Sequence, residues 1–218
     1  VDATVDFLPG NSVPFRFTDE REGRRLSTDA LRERIEASIL SLTPVTETLK
    51  PEAVRPQVYR AELEGAIVLR SRIVVPLSGS EAAQANAALA AAALNGLRVD
   101  TGETLSFNQT VGLRTSEAGY QAAEEPAYGQ NVSGVGGGVC QVSTALYRLA
   151  LLGGLEIGER NAAVYPVDYC DVGQEAAVSD QGLDLKIVNS TDRPMFLTAR
   201  VYAENDGQTM ELQLIGLE

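Results

Sequence analysis

The chain has 218 residues, with 18 basic and 30 acidic side chains for a formal charge of −12, 44% hydrophobic residues, two cysteines, and neither histidine nor tryptophan. Without histidine, Ser-His-Asp and Cys-His catalysis, histidine-bearing zinc sites and imidazole pH switches cannot be assembled from this chain alone. The apolar content suits a globular protein with a sizeable core, and the acidity, concentrated in residues 61–218 with 9 basic and 20 acidic side chains, argues against nucleic acid as a partner.

Residues 1–17 read as two strands about the turn Pro9-Gly10-Asn11, because apolar residues alternate on either side and Gly and Asn tolerate turn backbone angles. The chain opens at Val1 without an initiator methionine and enters a strand-like run at once. We therefore expect a piece of a longer polypeptide, with any signal or membrane anchor upstream. Ser27-Thr28-Asp29 then precedes Leu31, Ile35, Ile39 and Leu42, a capped helix with one apolar stripe, stopped by Pro44. Arg32, Glu33, Arg34 and Glu36 form its wet face. Pro44, Pro51 and Pro56 punctuate a stretch lacking helical period, which predicts an extended connection and divides the chain into residues 1–62 and 63–218.

From Gly65 to Leu77, β-branched residues (Ile67, Val68, Ile73, Val74, Val75) predict one or two strands. Ser78 or Ser80 then caps an alanine-rich helix ending at Asn95-Gly96, whose small side chains predict close packing on a neighbour. This is the longest apolar stretch, and it is too short and too weakly hydrophobic to span a bilayer. Val99 to Tyr128 is loop-rich, with a turn at Thr101-Gly102-Glu103 and a short strand at Leu105-Ser106-Phe107. Leu183–Val188, Met195–Tyr202 and Met210–Ile215 read as strands, the last two joined by Asn205-Asp206-Gly207; a closing β-meander follows, and the class is α+β.

The segment running from Gly134 through Gly136, Gly137, Gly138 and Val139 to Cys140-Gln141-Val142-Ser143-Thr144 is the most informative. Its glycines permit a tight turn, and Val142, Leu146, Leu149 and Ala150 mark one face of a helix of about three turns stopped by Gly153-Gly154. Cys140 then falls at the helix amino end, where free amides and the dipole favour a thiolate. A Walker loop is set aside because no Gly-Lys-Ser/Thr follows, and a dinucleotide fingerprint because its third glycine falls on Val139. Two readings of Cys140 remain: a catalytic nucleophile with amides near Gly138 to Gln141 as oxyanion donors, or a small buried residue at a tight junction.

Leu94-Asn95-Gly96, Gly102-Glu103-Thr104-Leu105-Ser106-Phe107-Asn108, Val111 to Thr115, Gly119-Tyr120, the Gly136-to-Tyr147 block, Gly154 to Ile157 and Glu159-Arg160 together resemble the VanW family. The likeness spans roughly residues 65 to 200, and residues 1 to 62 more weakly resemble a peptidoglycan-binding domain that often precedes it. The resemblance implies a bacterial, extracytoplasmic, usually membrane-anchored envelope protein whose molecular activity is not established. Many relatives carry a histidine shortly after the Glu-Arg pair, where this chain reads Asn161-Ala162-Ala163, and Asp-Ala-Thr where it reads Glu175-Ala176-Ala177. A Cys-His pair in such relatives would here have lost its base.

Around the glycine loop, Asn108, Arg114, Tyr120, Gln141, Ser143 and Thr144 offer hydrogen bonds for peptide or glycan recognition, with Arg114 able to fork onto a carboxylate. The plainer roles are a salt bridge for Arg114, a turn cap for Asn108 and a core ring for Tyr120. Cys170 lies thirty residues beyond Cys140, so a disulfide staple is open in an oxidising compartment. Glu124-Glu125 and Asp168 with Asp171 lack calcium-loop spacing, and neither a metal nor a cofactor is expected. Three expectations follow: a protein binding peptidoglycan or a wall-precursor peptide, a cysteine-dependent hydrolase or acyl transferase on wall peptide, and a scaffold with a Cys140-Cys170 disulfide.

Overall fold

The structure is a computed structural model that describes the chain apart from residues 9–13, 27, 45, 47, 49, 128–129, 205–206 and 218, and apart from the side chains of residues 30, 125–127 and 130–132. Helices and strands are both well represented, and the class is α+β. The chain divides into two units, Val1–Asp6 with Phe15–Gly65 and Phe7–Pro14 with Ala66–Glu218.

Strands β1 (Thr4–Phe7) and β2 (Phe15–Thr18) pair as the alternation predicts, while the turn at Pro9-Gly10-Asn11 lies outside the described residues. Strand β3 (Gly23–Arg25) leads into α1 (Asp29–Ser41), with Thr28 at the N-cap position but making no side-chain cap bond. The expected apolar stripe is not packed: Ile39 is 67% and Leu42 92% exposed. The proline-punctuated stretch is not wholly extended connection either. It contains β4 (Glu52–Val54), which pairs antiparallel with β3, and a short helix α2 (Arg60–Ala66). Helix α2 is stabilised by charge rather than by an apolar stripe: Arg60 Nε donates to Glu64 Oε1 at 2.7 Å one turn on, and the Tyr59 amide donates to Glu62 Oε2 at 3.2 Å.

In the second unit, β5 (Ile67–Pro76) is one ten-residue strand, and α3 (Glu81–Leu94) starts where Ser80 Oγ accepts from the Ala83 amide at 3.3 Å. Then come β6 (Leu97–Val99), β7 (Thr104–Ser106), a short helix α4 (Phe107–Val111) and the hairpin of β8 (Ala122–Ala127) and β9 (Gln130–Val135). Helix α5 (Val139–Leu152) is followed by β10 (Glu156–Glu159), β11 (Lys186–Val188), β12 (Met195–Glu204) and β13 (Gly207–Leu217). The main sheet is antiparallel with order β5-β13-β12-β6, and α3 and α5 pack on one face of it. Of the three expected closing strands, the last two form a hairpin in this sheet, whereas β11 pairs between β10 and β7 in a second sheet.

Ile73, Leu197, Met210 and Leu212 meet Ala87, Ala90, Ala91, Leu94, Val142, Leu146 and Leu149 in one apolar core. The alanine face of α3 is fully buried, as its small side chains predict for close packing. On the opposite face of the sheet Glu211 is 1% exposed, overlaid by arginines from both neighbouring strands. Arg72 Nε reaches Oε1 at 2.6 Å, Arg200 Nε reaches Oε2 at 2.8 Å, and Gln213 adds a bond of 2.6 Å. No helix among the described residues is long and apolar enough to cross a membrane.

Candidate functional site

Glycines 136–138 bring the chain from β9 into α5 against two neighbours. A Cβ on Gly137 would lie 2.9 Å from the Ala123 carbonyl oxygen, and one on Gly136 would lie 2.8 Å from Arg114 Cβ. The loop is clamped by Asn86 of α3, 1% exposed, whose Nδ2 donates to the carbonyls of Gln121 and Gly137, both at 2.9 Å. Its Oδ1 accepts from the Gln121 amide at 2.8 Å. A lone amide on a buried helix face has to find partners, and Asn86 finds them in this loop. Asn86→Ala removes these three bonds and leaves buried carbonyls unsatisfied. We expect a loss of about 2 kcal/mol in urea denaturation, with Asn86→Asp also destabilising because a carboxylate cannot donate to the two carbonyls.

Cys140 is the second residue of α5 and half-buried, so the sulfur does stand at the helix amino end. Its thiol points to the Val178 carbonyl at 3.6 Å. Among the described residues, the cavity against the next turn, lined by Val75, Gln141, Thr144, Arg148 and Tyr169, holds about 10 Å³, room for roughly one water. The Tyr169 phenol is held protonated well above its ordinary range, first by burial and then by the Cys140 sulfur, against a hydrogen bond with Thr144. It therefore cannot serve as the base that the missing histidine would have been. Burial, then Glu175, also raises the Cys170 thiol. Cys140 and Cys170 both stand as thiols, so the disulfide is not formed in this structure.

The remaining predicted residues fall into two groups joined at Gly136. Along α5, the Gln141 side chain closes on Ser78, accepting from its amide at 2.8 Å and donating to its carbonyl at 3.1 Å. Ser143 Oγ donates to Ala176 O at 2.6 Å, and Thr144 Oγ1 accepts from Ala176 N at 3.0 Å, pinning residues 176–178 along the helix. In the second group Asn108 Nδ2 donates to Leu183 O at 2.8 Å and Ser179 O at 3.2 Å, and its Oδ1 accepts from Arg114 Nη1 at 2.9 Å. Arg114 is buried, paired with Asp180 at 2.9 Å, and its Nη2 is buried without a hydrogen-bond partner among the described residues. Tyr120 is a core ring whose phenol is pushed up by burial.

Asp180 and Asp184 were missed by sequence reading. Asp184 accepts from Ser106 Oγ at 2.6 Å and from the Asn108 amide at 2.9 Å, organising the amino end of α4. An acid in a polar loop carries no sequence signal for such a role. Chemically, the region is a dense internal hydrogen-bond frame: the polar groups of Gln141, Ser143, Thr144 and Asn108 are engaged by the protein, while Arg114 Nη2 has no hydrogen-bond partner among the described residues.

A family model described as VanW like protein matches residues 82–213. The uncharacterized protein YoaR of Bacillus subtilis is 37% identical over 125 residues, which is 57% of this chain and 41% of YoaR. The vancomycin B-type resistance protein VanW of Enterococcus faecalis is 36% identical over 112 residues, 49% of this chain and 41% of that protein. The chain thus spans about two fifths of the length of these curated relatives. No solved structure matches it.

Proposed function

Since the chain belongs to the family of VanW-like proteins, we propose that it acts outside the cytoplasmic membrane of a bacterium, binding peptidoglycan or a wall-precursor peptide without altering it. The observation that carries this reading is the similarity over the matched domain to a protein named for resistance to vancomycin, an antibiotic of the cell wall. Recognition is favoured over catalysis by the chemistry at α5: Cys140 has no imidazole in the chain to activate it, Tyr169 stays protonated, and the adjoining cavity has room for one water. Asn108, Gly136, Gly137, Gly138, Gln141, Ser143 and Thr144 then serve as the frame that holds the domain's loops, with Arg114 buried in it and paired with Asp180.

The test is sedimentation with purified, protein-free sacculi. The whole chain is expected in the pellet, and soluble wall fragments in excess should return it to the supernatant. A chain that stays in the supernatant across a range of pH and salt defeats the binding reading.

A further inference from the structure

Residues 162–174 leave the second unit and return to nearly the same place, in the manner of an Ω-loop. The neck is closed from both sides. Arg160 Nε donates to the Glu175 carbonyl at 2.7 Å and Arg160 Nη2 pairs with Glu175 Oε1 at 3.1 Å, while the Ala177 amide donates to the Asn161 carbonyl at 2.8 Å. Beyond the neck the chain is weakly held. Among the described residues, 162–170 make no backbone hydrogen bond, and none of 162–174 is fully buried, with Val164 84% and Val172 90% exposed. A segment with so few bonds and so little buried surface opens before the rest of its domain.

The loop meets α5 through Tyr169. Its phenol lies beside the Thr144 hydroxyl and the Cys140 sulfur. The ring closes over Gln141, Thr144, Ala145 and Arg148, which recur at helical spacing and so share one face of α5, with Val75 and Pro76 of β5 as the opposite wall. Only about 10 Å³ of void remains while the ring is in place. Withdrawal of Tyr169 would leave a ring-sized hollow with apolar walls at Val75, Pro76 and Ala145 and a hydroxyl at Thr144.

Arg148 supplies an independent sign of a ligand. It is half-buried, lines this hollow, and makes no hydrogen bond or ion pair among the described residues. Acidic side chains outnumber basic ones 30 to 18 in the sequence, so scarcity of carboxylates does not explain an unpaired guanidinium. A partly desolvated arginine without an anion forgoes the charge-assisted bonds for which its geometry suits it.

We propose that residues 162–174 are a lid, that Tyr169 fills a ligand site on α5 while the lid is closed, and that the ligand is a small carboxylate on a ring-sized apolar body, its carboxylate taken by Arg148. Residues 176–178 stay pinned to Ser143 and Thr144, so the lid moves about the neck and the helix keeps its place.

The probe is 4-hydroxyphenylacetate, which reproduces the tyrosine side chain and adds a carboxylate; 4-hydroxyphenylacetamide is its uncharged counterpart. Binding to the whole chain is read by ligand-observed NMR. Tyr169→Ala should tighten binding of the acid about tenfold over the parent chain, in which the ring has to leave first. Arg148→Gln should weaken binding of the acid about tenfold in either background and leave the amide unaffected. Lid opening is read in a Cys170→Ser chain as the rate of Cys140 alkylation by iodoacetamide: Tyr169→Ala should raise it about tenfold, and excess acid should lower it again. If Tyr169→Ala fails to fold, as circular dichroism would show, the parent chain and Arg148→Gln still decide the site by their acid and amide affinities. No binding of the acid, equal affinity for acid and amide, or indifference to Arg148→Gln overturns the site. An alkylation rate that ignores Tyr169→Ala overturns the lid.

Discussion

Gly138→Ala is expected to lower the stability of the second unit by about 3–5 kcal/mol in urea denaturation followed by circular dichroism. Gly138 has φ = 101°, a region that L side chains rarely adopt, and a Cβ there would be driven onto the Ala83 carbonyl of α3. Left-handed backbone alone costs about 1–2 kcal/mol for a non-glycine residue. The remainder comes from the clash, because the obstacle is helix backbone and has no rotamer with which to yield. Gly154→Ala is the control: φ is 71° and no atom lies within 4 Å of its Cβ, so conformational strain acts alone and the loss should stay near 1–2 kcal/mol. Equal losses at the two positions would show that close approach to α3 contributes nothing at Gly138.

The second large effect is pH-dependent. Burial would raise the Glu211 carboxyl, but hydrogen bonds from Arg72, Arg200 and Gln213 outweigh it and bring the group from 4.5 down to about 2. A folded pKa below the unfolded one means that the unfolded chain binds the proton more readily. The stabilisation is therefore complete above about pH 4.5 and is lost as pH falls toward 2. The shift corresponds to about 3 kcal/mol. Glu211→Gln keeps the shape and cannot carry the charge, so its deficit against the parent chain should be about 3 kcal/mol larger at pH 7 than at pH 2. Subtracting the two pH profiles removes the contribution of other depressed carboxylates such as Glu159 and Glu175. A deficit that does not vary with pH would mean that the two arginines do not stabilise the charged form.

Legibility followed the range of the forces involved. Helix α3, the run of α5, strand β5 and the β12–β13 hairpin were readable because each carries a local pattern: a serine cap before alanines, an apolar face at helical spacing, β-branched residues in succession. Helix α2 lacked an apolar stripe, and its i,i+4 ion pair gives no hydrophobic period. The β8–β9 hairpin, with its alanines, glutamates and Pro126, has few of the β-branched residues by which strands are recognised. Strand β11 was recognised but assigned to the wrong neighbours, since pairing depends on residues far along the chain: Ile187 lies opposite Ile157 on one side and Leu105 on the other.

The site divides in the same way. That Cys140 stands in the first turn of a helix entered through three glycines, and that no histidine can assist it, followed from the order and kinds of residues alone, because helix initiation and side-chain chemistry are local properties. What stands around that thiol was decided by the tertiary fold. Asn86 from α3, Ser78 after β5 and residues 176–178 converge on α5 from positions separated by tens of residues, and they occupy the hydrogen-bonding groups that sequence reading had assigned to a ligand. A polar side chain satisfies its bonds with whatever the fold brings within about 3 Å, and that neighbourhood exists only once distant segments have packed.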